Sequence, residues 1–221
     1  MPATPRRAAE KPRFPRPAGE LVVQGSRMNA QLGSILTLLG LTASIAIRTP
    51  YARRSSRLPV VKTRKGRLEV ALLLLVAVGM VIIPCLTACT GILRFADYRL
   101  HPLALVVGIG LIALSLWLFW RSHDDLGANW SSSLEIRETH TLVDRGVYER
   151  IRHPMYTAAF LFTIAQTLLI ANWIAGPAGL LAFLTLYLLR VRREERMMEE
   201  RFGEDYRVYM RRTKRLIPGV L

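Results

Sequence analysis

Leu103-Ala-Leu-Val-Val-Gly-Ile-Gly-Leu-Ile-Ala-Leu-Ser-Leu-Trp-Leu-Phe-Trp120 runs for 18 residues without a charge, and this stretch decides the fold class. As a helix it is about 27 Å long, close to the thickness of the hydrocarbon layer of a bilayer. Three more apolar stretches flank it: Gln31 to Ile47, Leu68 to Leu93 and Met155 to Leu189. The last is too long for one span. Its middle reads Ala171-Asn172-Trp173 and then Gly176-Pro177, which are turn and interface residues, and this divides it in two. The chain reads as an all-α polytopic membrane protein of about five transmembrane helices with a short helical C-terminal segment in the cytoplasm.

Composition agrees. Of 221 residues, 51% are hydrophobic and 21% charged, yet the net charge is +15. The charge lies in basic clusters between the apolar stretches, which suits a membrane surface and argues against a nucleic-acid partner. Disordered, collagenous and disulfide-stapled classes are excluded. Lys and Arg number eight in 48–69, five in 121–153 and ten from Arg190 onward, against two in 94–100 and six in 1–27. Five spans and the positive-inside rule place the first three groups in the cytoplasm. The basic tail is the discordant group, and a start at Met28 would remove most of its charge. Residues 1–27, rich in proline, read as a flexible tail, 28–99 as N-terminal transmembrane helices, and 100–221 as the functional membrane domain with its cytoplasmic segment. The first apolar stretch reads as a retained helix, with a cleaved signal as the alternative.

Smaller features are structural. Cys85 and Cys89 share a helix face with no His or carboxylate at metal-ligand spacing, so no metal is expected. Gly108-Ile-Gly110-Leu-Ile-Ala113 matches a dinucleotide fingerprint, but it lies inside an uninterrupted span, where small residues serve close helix contacts. Pro84 should kink or end its helix.

Two cytoplasmic segments carry the candidate chemistry. The first holds Asp125-Leu-Gly-Ala-Asn129-Trp130, then His140, Gly146, Tyr148 and Arg152-His153-Pro154-Met-Tyr156. Pro154 suits the first turn of a helix, whose free N–H groups, with Arg152, form an anion site at the interface. An interfacial belt of Arg, His and Tyr is the alternative. The second continues the fifth span as Arg190-Val-Arg-Arg-Glu194-Glu195, where Arg190 and Glu194 lie one turn apart and an acid near the membrane can hold an ammonium group. Most of Glu199 to Arg215 reads as a solvated helix. Met198, Phe202, Tyr206 and Tyr209 form a stripe expected to pack on the cytoplasmic domain or the membrane surface. Gly203 should end the helix.

Taken together, Gly146-x-Tyr148-x₃-Arg152-His153-Pro154-x-Tyr156, Arg190-x₃-Glu194-Glu195-x₆-Phe202-Gly203-x₂-Tyr206-x₂-Tyr209 and the closing Ile217-Pro218-Gly219 resemble the isoprenylcysteine carboxyl methyltransferase family, grouped with the membrane phospholipid methyltransferases. The resemblance covers roughly residues 100–221. Val147 departs from it, since proline is common there in the family. The resemblance implies a multi-span enzyme using S-adenosylmethionine in a cytoplasmic pocket, with a lipophilic or lipidated substrate entering from the bilayer. It implies that Tyr148, His153, Pro154 and Tyr156 line the pocket, with Glu194 or Glu195 near donor or acceptor and Arg190 facing the acceptor.

A carboxylate acceptor is already ionised and needs only orientation, for which Arg190 is suited. An amine acceptor must lose a proton, with Glu194, Glu195 or His153 as base. The expected activity is carboxyl methylation of an isoprenylcysteine-like substrate, with phospholipid N-methylation as the alternative. Sterol-type membrane reductases using NADPH share an Arg-His…Tyr element, but they usually show Asn before that Tyr and Arg-Asp in place of Glu194-Glu195. A non-catalytic membrane protein on the same scaffold is the remaining reading.

Overall fold

The computed structural model describes residues 18–55, 62–63, 66–130, 135–136 and 141–220. Helices α1 (Ala18–Ser55), α2 (Arg67–Ala77), α3 (Ile83–Thr90), α4 (Pro102–Leu126), α5 (Pro154–Leu169), α6 (Ala178–Phe202) and α7 (Glu204–Arg212) follow one another. A two-residue antiparallel ladder, β1 (Lys62–Thr63) with β2 (Glu135–Ile136), joins two of the loops. Helix α1 begins at Ala18, inside the segment composition reads as a tail, while the rest of that tail and His140 lie outside the described residues.

Among the described residues, three helical stretches are long and apolar enough to cross a membrane: Gln31–Ser55, Arg67–Thr90 and Pro102–Leu126. The expected five are not all of this kind. Helix α5 has 16 residues, about 24 Å, and α6 turns polar after Leu189, so the apolar part of each is shorter than a bilayer core. They form a hairpin packed within the bundle, α5 mainly against α4.

Pro84 neither ends nor breaks its helix. The preceding turn, Val78–Ile82, widens to π geometry, which relieves the clash a proline makes one turn back, and the helix runs on to Thr90. Gly79 in this wide turn lies against α6, where a Cβ would come within 2.5 Å of the Ala178 carbonyl. Its own carbonyl accepts from Gln166 Nε2 at 3.1 Å. Gly108 packs on Leu169, as expected of a small residue at a helix contact. Cys85 and Cys89 are free thiols.

The α5–α6 turn is pinned by Asn172. Its Nδ2 donates to the Leu93 carbonyl and to Asp97 Oδ1, both at 2.7 Å, and its Oδ1 accepts from the N–H groups of Ile174 and Ala175. A buried amide so fully satisfied fixes the loop rather than loosening it. The 94–100 and 171–177 loops therefore share one end of the bundle, the arrangement that the charge count requires.

Candidate functional site

At the other end, helices α2, α4, α5 and α6, the 141–153 segment and α7 enclose a cavity of about 380 Å³. Its wall includes Tyr148, His153, Tyr156, Arg190 and Glu194, five of the expected site residues. Pro154 and Glu195 differ. Pro154 is buried as the first residue of α5, where its missing N–H needs no partner, and it starts the helix without facing the cavity.

Glu195 is turned away from the cavity and sits in a saturated cluster. Its Oε1 accepts from Arg152 Nε at 3.1 Å, from Arg215 Nε at 3.0 Å, and lies 3.4 Å from His153 Nε2. Its Oε2 takes the other fork of Arg215. Burial pushes the carboxyl up, and hydrogen bonds and charge from His153 and Arg215 outweigh this, holding it well below the usual carboxylate range. Arg152 also donates to the carbonyls of Met210 and Thr213. The backbone N–H groups of Arg152 and His153 donate to Lys214 and Arg215 carbonyls at 2.7 and 3.0 Å. Glu195 and Arg152 thus tie the start of α5 to α6 and the C-terminal segment. Arg152, which also lines the cavity, commits its guanidinium to the protein's own acceptors, and Glu195, expected near donor or acceptor, lies in this cluster and not in the cavity wall.

Glu194 faces the cavity. The Tyr156 hydroxyl donates to its Oε2, and Arg190 Nε lies 3.8 Å from the same oxygen. The Tyr156 ring stacks on His153 with centroids 5.3 Å apart and 23° between planes. Arg192 and Arg193 are exposed, whereas the Arg190 side chain is 14% exposed. This agrees with their different positions round the helix.

Met198, Phe202, Tyr206 and Tyr209 line the cavity, contrary to the packing expected of them. The reason is the turn at Gly203, φ +55°, which ends α6 and folds α7 back so that both helices present this stripe to one space. The Tyr209 hydroxyl donates to the Tyr148 carbonyl at 2.7 Å, closing α7 over the 146–149 turn. Burial, reinforced by Tyr209, Glu194 and Asp125, keeps the Tyr148 phenol protonated far above its ordinary range.

That turn explains Val147. Gly146 has φ +62°, and a Cβ there would strike the Asp125 carboxylate at 2.2 Å. The Val147 N–H donates to Asp125 Oδ2 at 2.9 Å. Proline would rigidify the turn but has no N–H to give, so this chain fixes the same loop by a hydrogen bond to α4.

The sequence reading missed Glu69 and His123. Glu69, on α2, is buried with its Oε1 3.3 Å from Arg190 Nη1. Its signal was a lone acid in an otherwise uncharged span. His123, fully buried on α4, lines the cavity with Phe119 and Trp130, and its Nδ1 lies 2.8 Å from the Phe119 carbonyl.

Residues 103–205 match the family model described as phospholipid methyltransferase. The chain is 34% identical over 86 residues to the human protein-S-isoprenylcysteine O-methyltransferase, covering 39% of this chain and 30% of that protein. It is 28% identical to the Dictyostelium discoideum protein of the same name over 99 residues, covering 44% and 42% respectively. The match thus spans less than half of either relative. The solved eukaryotic intramembrane Ras methyltransferase, an isoprenylcysteine carboxyl methyltransferase, is similar at 25% identity with a TM-score of 0.44, over 68% of this chain and 50% of that one. The family-model match and the curated relatives support the family resemblance carried by the sequence motifs.

Proposed function

We propose, from the likeness of residues 103–205 to membrane methyltransferases, that this protein is an integral membrane enzyme that methylates the carboxylate of an isoprenylcysteine-like, lipid-borne acceptor using S-adenosylmethionine. The observation that carries the reading is the cavity itself, which combines an aromatic polar end with an apolar limb.

The residues present fit such a donor. Tyr148, Tyr156, Tyr206 and Tyr209 offer ring faces to a sulfonium, Glu194 offers a carboxylate to an ammonium, and His153 with the first turn of α5 offers donors to a carboxylate. A cavity of about 380 Å³ lies within the range of small-molecule sites. Bound there, the donor supplies a methyl carbon whose bond to sulfur breaks as an acceptor oxygen bonds to it, so a carboxylate acceptor loses no proton. The protein's task is then alignment and exclusion of water. Arg190 presents a planar fork to an anionic head group. Leu73, Val76, Met80, Phe183 and Leu186 form an apolar limb for the acceptor's chain.

An amine acceptor is the second reading, favoured by the description of the matching family model and by the two carboxylates, Glu69 and Glu194, flanking Arg190. We place the site and the C-terminus in the cytoplasm, residues 1–27 as a tail, 28–99 as supporting helices and 100–221 as the methyltransferase part, on charge distribution and the motif positions. The test uses purified protein in lipid nanodiscs with labelled donor and an S-isoprenyl N-acetylcysteine. Base-labile label in the lipid fraction supports a carboxyl ester. Base-stable label on an aminophospholipid gives the second reading, and absence of donor binding sinks both.

A further inference from the structure

From Leu68 to Leu93 the chain carries one charged residue, Glu69. Spanning a membrane needs no acid there, and a buried carboxylate stays ionised only beside a partner. That partner is Arg190, 3.3 Å away on α6, which is gripped from its other side by Glu194. The grip is loose. Glu69 Oε1 and Arg190 Nε are buried with no hydrogen-bond partner among the described residues, so the charges attract without an aligned bond. Glu69 also lies outside residues 103–205, the part of the chain that the family model matches.

We infer that Glu69 is a positioning residue of the acceptor site: from α2 its carboxylate orients the Arg190 guanidinium and tempers its charge toward the cavity. This rests on the methyl-transfer reading above. Two carboxylates around one guanidinium fix its direction but weaken its pull on an incoming anion. Glu69→Gln keeps the shape and removes one carboxylate, so attraction and alignment move in opposite senses. The KM for the carboxylate acceptor should fall about threefold, because a repelling charge is gone. At the same time kcat should fall about tenfold, because the guanidinium is no longer held. The carboxamide counterpart of the acceptor, a neutral competitor, should inhibit wild type and variant with the same constant.

The experiment uses the full chain in nanodiscs, with an S-isoprenyl N-acetylcysteine, its carboxamide, and a titration giving donor affinity and stoichiometry. A lower KM with a lower kcat, at unchanged donor stoichiometry, supports the inference. Wild-type values for both overturn it. So does a KM and a carboxamide constant rising together, which marks a packing defect. Where Glu69→Gln loses donor stoichiometry, Glu69→Asp decides: it keeps the charge on a shorter arm, and a reduced kcat at wild-type KM supports the inference, whereas wild-type kcat overturns it. A wild-type protein that binds donor yet methylates no carboxylate overturns the functional reading instead, and the role of Glu69 with it.

Discussion

Glu194 and Glu195 are neighbours on one helix, yet the charge clusters around them are built in opposite ways. Around Glu195, two guanidinia and an imidazole converge on one carboxylate, the guanidinium bonds to Oε1 at 3.0 and 3.1 Å and the imidazole at 3.4 Å. Around Arg190, one guanidinium sits between two carboxylates at 3.3 and 3.8 Å, with buried polar atoms unmatched. A saturated cluster has no capacity left for a ligand and holds elements together. An unsatisfied one beside a cavity keeps capacity in reserve, at some expense in stability, and this is where chemistry is expected. The lesson is that the degree of satisfaction, rather than charge or burial, separates architecture from site.

The largest expected effect attacks the saturated cluster. Arg152→Ala leaves the Glu195 carboxylate short of one partner and frees the carbonyls of Met210 and Thr213, so stability should drop by about 3–5 kcal/mol. The C-terminal segment after Gly203 should become protease-sensitive in detergent while the membrane helices stay protected. A variant with wild-type proteolysis and thermal unfolding would erase the contrast between the clusters.

Next is His153→Ala, which touches both clusters, since the ring contacts Glu195 and stacks on Tyr156. Loss of a polar partner in the cavity should weaken S-adenosylmethionine binding by about 1–3 kcal/mol, roughly one to two decades. Calorimetric titration reads this. Unchanged affinity moves His153 wholly to the architectural side.

Arg190→Lys probes the open cluster. The charge stays, the planar fork goes, and methyl transfer should fall about tenfold, near 1.4 kcal/mol of barrier, with donor affinity unchanged. Arg193→Lys, on the exposed face, should be silent. If the two variants behave alike in transfer and binding, Arg190 is an ordinary interfacial charge.

How much of this was legible beforehand follows from what each signal reports. Run length and charge gave the apolar helices, and the Asn172 turn and the Gly203 stop could be read from residue type. The number of full spans could not, because α5 and the apolar part of α6 are short and supported by neighbours. The helical period put Met198 and Phe202 on one face without saying what they face, which the backbone turn at Gly203 decides. Glu194 and Glu195 were indistinguishable, since the phase of α6 relative to Arg215 and the cavity is tertiary information. Glu69 stands far from Arg190 in the chain, so only the packing of α2 on α6 reveals their pairing.

The smallest expected effect is an absence of change, and its sign follows from Glu195. Its carboxyl is held below its ordinary value of 4.5, because contacts with His153 and Arg215 outweigh the cost of burial. A depressed carboxyl contributes stability that is complete above the unfolded value and lost as pH falls toward the folded one. The stability difference between wild type and Glu195→Gln should therefore stay constant from about pH 7 to about pH 5 and shrink only below about pH 4.5. Thermal unfolding of both proteins in the same detergent across that range measures it. A difference that instead grows as pH falls from about pH 6 to about pH 5 would show a carboxyl raised by burial, and Glu195 would then belong with the unsatisfied cluster it adjoins.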